Sequence, residues 1–234
     1  MQRPSPQFRR RAEATIMNVR SPLPQPLLRQ YMPKDIILPI GNAYASVSPG
    51  DHIAYFWESP AEFERGVAFL SEGLKAGDFG VIFGHDEANA QVCSILDKSG
   101  CPSREYIRSA QLLVLGPETT GDATLQKIGT VFEEAVRRGA PLIRLLGNIG
   151  WGKPGWPHED DILAFEAKVT GAARKFPCVV VCMYDVRTLP GTVILHGAFE
   201  THPVTVCGNV LRENTHYVDV DDFLAKFPKP PVAE

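Results

Sequence analysis

From Asp51 onward, short apolar runs take turns with longer segments in which apolar residues recur every three to four positions. The short runs predict strands and the longer segments amphipathic helices. "HIAYFW" predicts the first strand. "SPAEFERGVAFLSEGLKAGD" predicts a helix with Phe63, Val67, Leu70 and Leu74 on one stripe. Ser59 is placed to cap it, with Pro60 at its first position and Glu62 three residues after the cap, and Gly77 ends it. "FGVIFG" predicts the next strand, and residues 86–98 a second helix with Val92, Ile95 and Leu96 inward. "LLVLG" and "LIRLLG" predict further strands around the helix "ATLQKIGTVFEEAVRRG", whose Leu125, Ile128, Phe132 and Ala135 share a side. "DDILAFEAKVTGAARKF" predicts another helix, with Ile162, Phe165, Val169 and Ala172 aligned. "CVVVCMYD" is apolar almost throughout, the pattern of a strand covered on both faces. A helix is expected after Pro190, then a hairpin, "VTVCGNVLRE", turning at Gly208-Asn209. Asp219 or Asp221 is placed to cap a last short helix.

Near-regular alternation of strand and helix defines an α/β fold. It predicts three layers, a mostly parallel sheet with helices on both faces and a C-terminal hairpin. One domain is expected over residues 46–228, between a tail at 1–45 and a short tail at 229–234. The chain has 234 residues and an ordinary apolar fraction of 44%. No apolar run is long enough to cross a bilayer, and the N-terminus lacks the apolar core of a secretory signal.

The net charge of −3 is uneven. Residues 1–34 carry seven Lys/Arg against one acid and are rich in proline and glutamine, which reads as a mobile basic arm. The remainder is acidic, so nucleic acid is not an expected partner of the domain. Five cysteines without a paired framework point to reduced thiols and a cytoplasmic location. Cys178 and Cys182 share one face of their strand. No further ligand is local to that face, so they read as buried apolar cysteines, and no metal site is expected.

"GNIGWGKPGW", residues 147–156, raises the question of nucleotide binding, because Gly147, Gly152 and Lys153 have phosphate-loop spacing. The position that needs Ser or Thr is Pro154, and Pro157 stops a helix from leaving the loop. After "FGVIFG" comes "GHDEANA", whose acids stand where phosphates would lie. Both stretches therefore argue against a phosphate site.

Ligands of open α/β sheets bind beyond the carboxyl ends of the strands. Those ends carry Trp57 and Glu58, then Gly84, His85 and Asp86, then Asn148 and Trp151, then Tyr184 and Asp185. His52 begins its strand and reads toward the opposite edge. An apolar strand ending in aspartate suits a hydrolase, but it lacks a phosphate cradle here. Trp151 in its Gly/Pro loop suits a lid over a ligand or a loop anchor.

Five stretches, "DHIAYFWES", "FLSEGLKAGD", "RLLGNIGW", "CMYD" and "THPVTVCGNVLRENTHY", in this order across residues 51–217, resemble the MEDS family. These are sensory domains of regulators of the dichloromethane-responsive type in methylotrophs and methanogens. The resemblance implies a RecA-like or KaiC-like fold without its phosphate loop, and a role in sensing small hydrocarbon derivatives. The residues that carry it over are His52, Tyr55, Phe56, Glu58, Arg144, Trp151, Tyr184, Asp185, Thr201, His202 and Pro203. Two places depart from the pattern: Asn148 stands where an acid is expected, and Asn214-Thr215-His216-Tyr217 where Asn-Pro-Tyr is expected.

The expected ligand set is His52, Tyr55, Glu58, Asn148, Trp151, Tyr184, Asp185 and His202, around a small organic molecule. No catalytic residue, cofactor or metal is assigned. With no DNA-binding or kinase segment in the sequence, output is expected through a protein partner, a regulator or kinase. Two alternatives stand beside this reading: an interaction module without ligand, and an enzyme using Asp185 with a histidine.

Overall fold

The computed structural model describes residues 36–40 and 43–227. The basic segment 1–34 and the tail 229–234 lie outside the described residues. Within the range read as tail, the structure has a two-stranded antiparallel ribbon that the sequence reading does not anticipate. Its strands are β1 (Ile36–Ile40) and β2 (Ala43–Val47), and β1 runs close to the first helix of the domain.

Seven strands form the main sheet: β3 (His52–Trp57), β4 (Phe79–Gly84), β5 (Leu112–Leu115), β6 (Ile143–Asn148), β7 (Cys178–Asp185), β8 (Val204–Cys207) and β9 (Val210–Glu213). Their order is β5-β4-β6-β7-β3-β8-β9. Every neighbouring pair is parallel except the terminal β8–β9 hairpin, which turns through Gly208 at φ +58°. This is the mostly parallel sheet with a C-terminal hairpin that the alternation predicts.

Helices α1 (Pro60–Ala76), α2 (Asp86–Lys98) and α3 (Ser103–Arg108) belong to one face. Helices α4 (Gly121–Arg137) and α5 (Glu159–Ala173) and a π-helix (Val193–Phe199) cover the other. A short α6 (Val220–Leu224), capped by Asp219, packs on α5. The short α3 is absent from the sequence reading, and the helix expected after Pro190 is wound as a π-helix.

Local chemistry accounts for α1. The Ser59 hydroxyl accepts from the Glu62 amide, the Glu62 carboxylate accepts from the Ser59 amide, and Gly77 closes the helix at φ +93°.

The two cores follow strand parity. On β3 and β7, Ile53, Tyr55, Val181 and Met183 pack under α1 and α2. Ala54, Phe56, Val180, Cys182 and Tyr184 pack toward α5 and the π-helix. Successive residues of a strand point to opposite faces, so this division is fixed once the register is fixed.

Arg144 shows how closely α1 lies on the sheet. Its Nε donates to Asp78 Oδ2 at 2.7 Å and a terminal nitrogen donates to the Phe69 carbonyl at 3.0 Å, both in the interior. Gly73 on α1 leaves the room that this side chain occupies.

Candidate functional site: an open crevice above a buried polar cluster

The parallel strands β3, β4, β6 and β7 end along one edge. A crevice of about 440 Å³ opens there, lined by Trp57, Asn148, Trp151, Lys153, Met183 and Asp185 among others. Asn148 ends β6 and is only 6% exposed, yet its Nδ2 has no hydrogen-bond partner among the described residues. Asp185 ends β7 and is held by Arg187 through two contacts of 3.0 Å, Nε to Oδ1 and a terminal nitrogen to Oδ2. Burial alone would push the Asp185 carboxyl up, but the Arg187 guanidinium and amide outweigh it and hold it below the ordinary carboxylate range. The same guanidinium lies over the Trp57 ring, 5.0 Å from its centroid. Trp151 is half-buried and its ring rests against Gly197 of the π-helix, where a Cβ would stand 2.9 Å from the indole. Trp151 thus both lines the crevice and anchors its own loop.

The phosphate-like lysine is engaged elsewhere. Lys153 Nζ pairs with Glu87 Oε2 at 2.9 Å, and His85 Nδ1 accepts from the Ala88 amide at the start of α2. The helix N-terminus is thereby capped by the protein's own side chain, with Asp86 and Glu87 in its first turn.

Three of the expected ligand residues are not at this edge. His52, Tyr184 and His202 lie on the α5 face, in a cluster completed by Glu166 and Cys182. Cys182 is 3% exposed, Tyr184 1%, and the others fully buried. Helix α5 crosses β3 and β7 and presents Glu166 and, one turn on, Thr170. His202 follows the π-helix, whose carbonyls orient its neighbours. Gly197 O accepts from Tyr184 Oη at 2.7 Å and from Thr201 Oγ1 at 2.6 Å.

The hydrogen bonds fix both imidazole tautomers. Thr170 Oγ1 donates to the Thr201 carbonyl at 2.8 Å, so at 2.9 Å from His52 Nδ1 it accepts that ring's proton. Thr201 Oγ1 spends its proton on Gly197, so His202 Nδ1–H donates to Thr201 Oγ1 at 2.8 Å and to the Ala198 carbonyl at 2.9 Å. Both Nε2 lone pairs therefore point at Glu166, with His52 Nε2 3.4 Å and His202 Nε2 3.6 Å from Glu166 Oε2. Burial pushes the two imidazoles down to about 3 and the Glu166 carboxyl up to about 7, and it raises the Cys182 thiol and the Tyr184 phenol as well.

Two corrections to the sequence reading follow. Trp151, Tyr184 and Asp185 do not share one crevice, because Tyr184 and Asp185 are consecutive on β7 and face opposite ways. Cys182 also has polar company, supplied by β3, α5 and the segment before β8 rather than by its own strand.

The remaining expected residues act locally. Tyr55 is buried under α1 and donates to the Glu62 carbonyl at 3.0 Å. Glu58 stands just before the α1 cap, its amide donating to Glu62 Oε2 at 2.9 Å. Glu166, Thr170 and Arg187 have no place in the sequence reading. Glu166 carried one signal, a carboxylate inside the apolar stripe of Ile162, Phe165 and Val169.

A three-layer, mostly parallel sheet with a crevice at its strand ends belongs to the RecA-like or Rossmann-like α/β class. The chain belongs to the MEDS family, the methanogen/methylotroph DcmR sensory domains, whose description matches residues 51–203. That places it among sensory or regulatory domains. It is similar to the transcriptional repressor DcmR of Methylorubrum extorquens, strain DSM 6343, at 26% identity over 157 residues. The match takes in 66% of this chain and 59% of that repressor, so the chain spans little more than half of its relative's length. Among solved structures it is similar in fold to the uncharacterized protein PH0321 of Pyrococcus horikoshii, crystallised with an unknown peptide. The TM-score is 0.50 at 11% identity, over 68% of this chain and 77% of the other. Among the described residues no helix is long and apolar enough to cross a membrane.

Proposed function

We propose that this chain is a cytoplasmic signal-transduction domain that takes a small organic ligand in the strand-end crevice. The signal passes to a protein partner, a regulator or kinase, and not to nucleic acid directly. The observation that carries the reading is Asn148. A buried amide without a partner costs about 1–3 kcal/mol; Nδ2 is shielded from the open crevice, so a ligand oxygen or halogen removes that cost by drawing the Asn148 side chain toward itself. The aromatic rings of Trp57 and Trp151 and the Met183 side chain supply the apolar walls around it. Asp185 and Arg187, already paired, form a fixed polar rim. A cavity of this size favours a ligand over a bare interaction module, and the engagement of Asp185 with Arg187 speaks against using it as a catalytic carboxylate.

The test is calorimetry with intrinsic tryptophan fluorescence over a panel of small alcohols, aldehydes and halocarbons. A binder should change tryptophan emission, Trp151→Phe should reduce that change to what Trp57 contributes, and Asn148→Leu should abolish the binding heat while the protein stays folded. A panel that gives neither heat nor fluorescence change with the wild type sinks this reading.

A further inference from the structure

We propose that His52, Glu166, Cys182 and His202 form a closed tetrahedral site for a divalent transition-metal ion of the zinc class. The proposal stands on the buried cluster and does not require the crevice to bind anything.

The spacing of the donor atoms is the first argument. One donor atom from each of His52, Glu166, Cys182 and His202 lies within 4.8 Å of the other three. The separations are 3.4 Å from His52 to Cys182, 3.4 Å from His52 to Glu166, 3.6 Å from His202 to Glu166 and 3.7 Å from Cys182 to Glu166. A tetrahedral ion with bonds of about 2.0–2.3 Å sets ligand-to-ligand edges of about 3.3–3.8 Å. Hydrogen bonds between nitrogen and oxygen would draw the same atoms to about 2.7–3.2 Å. The two nitrogen–oxygen separations fall at coordination distances rather than at hydrogen-bonding ones, and the two sulfur separations suit either.

The second argument is orientation. A metal-binding imidazole presents one nitrogen's lone pair while its other N–H is held by an oxygen. Both histidines are arranged in this way, His52 through Thr170 and His202 through Thr201 and the Ala198 carbonyl. Among the described residues His202 Nε2 has no hydrogen-bond partner, and it faces Glu166 in the cluster. Tyr184 Oη, 3.5 Å from Glu166 Oε1, stands beside the second carboxylate oxygen.

Charge is the third. Among the described residues no Lys or Arg pairs with Glu166, and two nitrogen lone pairs face it. In that setting the metal-free Glu166 carboxyl keeps its proton, and its carboxylate form is matched by a bound cation. A dication with one carboxylate and one thiolate is a neutral unit. On binding, the Cys182 thiol and the Glu166 carboxyl each release a proton to solvent as the metal–sulfur and metal–oxygen bonds form. Four protein donors leave no open coordination position, so the ion has a structural role, tying β3, β7, α5 and the segment before β8 together.

The untagged full chain is purified from cells grown with zinc or with cobalt(II), passed over a chelating resin and assayed for metal. About one ion per chain is expected. The cobalt form should show the visible ligand-field bands of a tetrahedral centre and a near-ultraviolet thiolate charge-transfer band. Cys182→Ser should remove the thiolate band, and Cys207→Ser, at an exposed position, should leave it. Thr170→Val deprives His52 of its Nδ1 acceptor and should weaken zinc binding about 10–100-fold in competition with a chromophoric chelator. A folded wild-type chain that retains no metal overturns the proposal, as does a cobalt spectrum that is octahedral or unchanged in Cys182→Ser. Where Cys182→Ser does not fold, the wild-type cobalt spectrum decides: a thiolate band supports the site and its absence refutes it.

Discussion

Replacing Gly73 by alanine tests how α1 is seated on the sheet, and two opposing terms decide its sign. Gly73 lies inside α1, where alanine normally stabilises a helix by about 1 kcal/mol. Here a Cβ would overlap Arg144 Nε and Cδ and stand 3.0 Å from Cζ. The guanidinium cannot step aside, because Asp78 holds it at 2.7 Å and the Phe69 carbonyl at 3.0 Å, with the Phe69 ring alongside. Displacing it breaks a buried ion pair and leaves charges unmatched, which costs about 3–5 kcal/mol. The expected net effect of Gly73→Ala is therefore a loss of about 2–4 kcal/mol, read as a lower urea midpoint with an unchanged slope. In an Arg144→Met background the same alanine should be neutral or stabilising, by up to about 1 kcal/mol. A Gly73→Ala protein as stable as the wild type refutes the reasoning, and an equal loss in both backgrounds shows that the clash is not with Arg144.

Two further outcomes follow from the crevice rim. Mg-ATP and Mg-GTP should give no binding heat, since Lys153 is paired with Glu87 and His85 caps α2; micromolar binding that disappears in Lys153→Ala would contradict this. Asp185 has a lowered folded-state pKa, so its bond to Arg187 contributes stability above the ordinary carboxylate range and loses it as pH falls through the folded value. Arg187 is half exposed, so solvent screening keeps the difference between wild type and Arg187→Gln small at neutral pH. Urea titrations at descending pH should show that difference closing, and a constant difference would rule out the pair as its source.

The fold was largely legible because its signals are local. The capping box at Ser59 and Glu62, Gly77 at φ +93° and Gly208 in the hairpin turn all sit where the sequence pattern puts them. What escaped lacks such signals or lies at their margin. Helix α3 has six residues and no apolar stripe. The β1–β2 ribbon had a cue in the Gly41-Asn42 pair between two short apolar runs, but Pro39 and the basic composition upstream masked it. The π-helix follows Pro190 as a helix should, and nothing in "VILHGAF" separates a π winding from an α one.

The candidate site was legible residue by residue but not in its grouping, and strand parity explains why. In "CVVVCMYD" both faces are apolar, so no polar residue marks which positions belong together. Counting by twos still assigns Cys182 and Tyr184 to one side and Met183 and Asp185 to the other. The same count on β3 sends His52, Ala54 and Phe56 one way and Ile53, Tyr55 and Trp57 the other. Parity cannot reveal the third partner, because Glu166 and Thr170 come from a helix whose rotation over the sheet only tertiary packing sets. Trp151 and Tyr184 meet the same residue of the π-helix, the ring of one on Gly197 and the hydroxyl of the other on its carbonyl. Gly197 is thus one point where the crevice and the buried cluster meet, and β7 is another, since Met183 and Asp185 line the crevice while Cys182 and Tyr184 belong to the cluster.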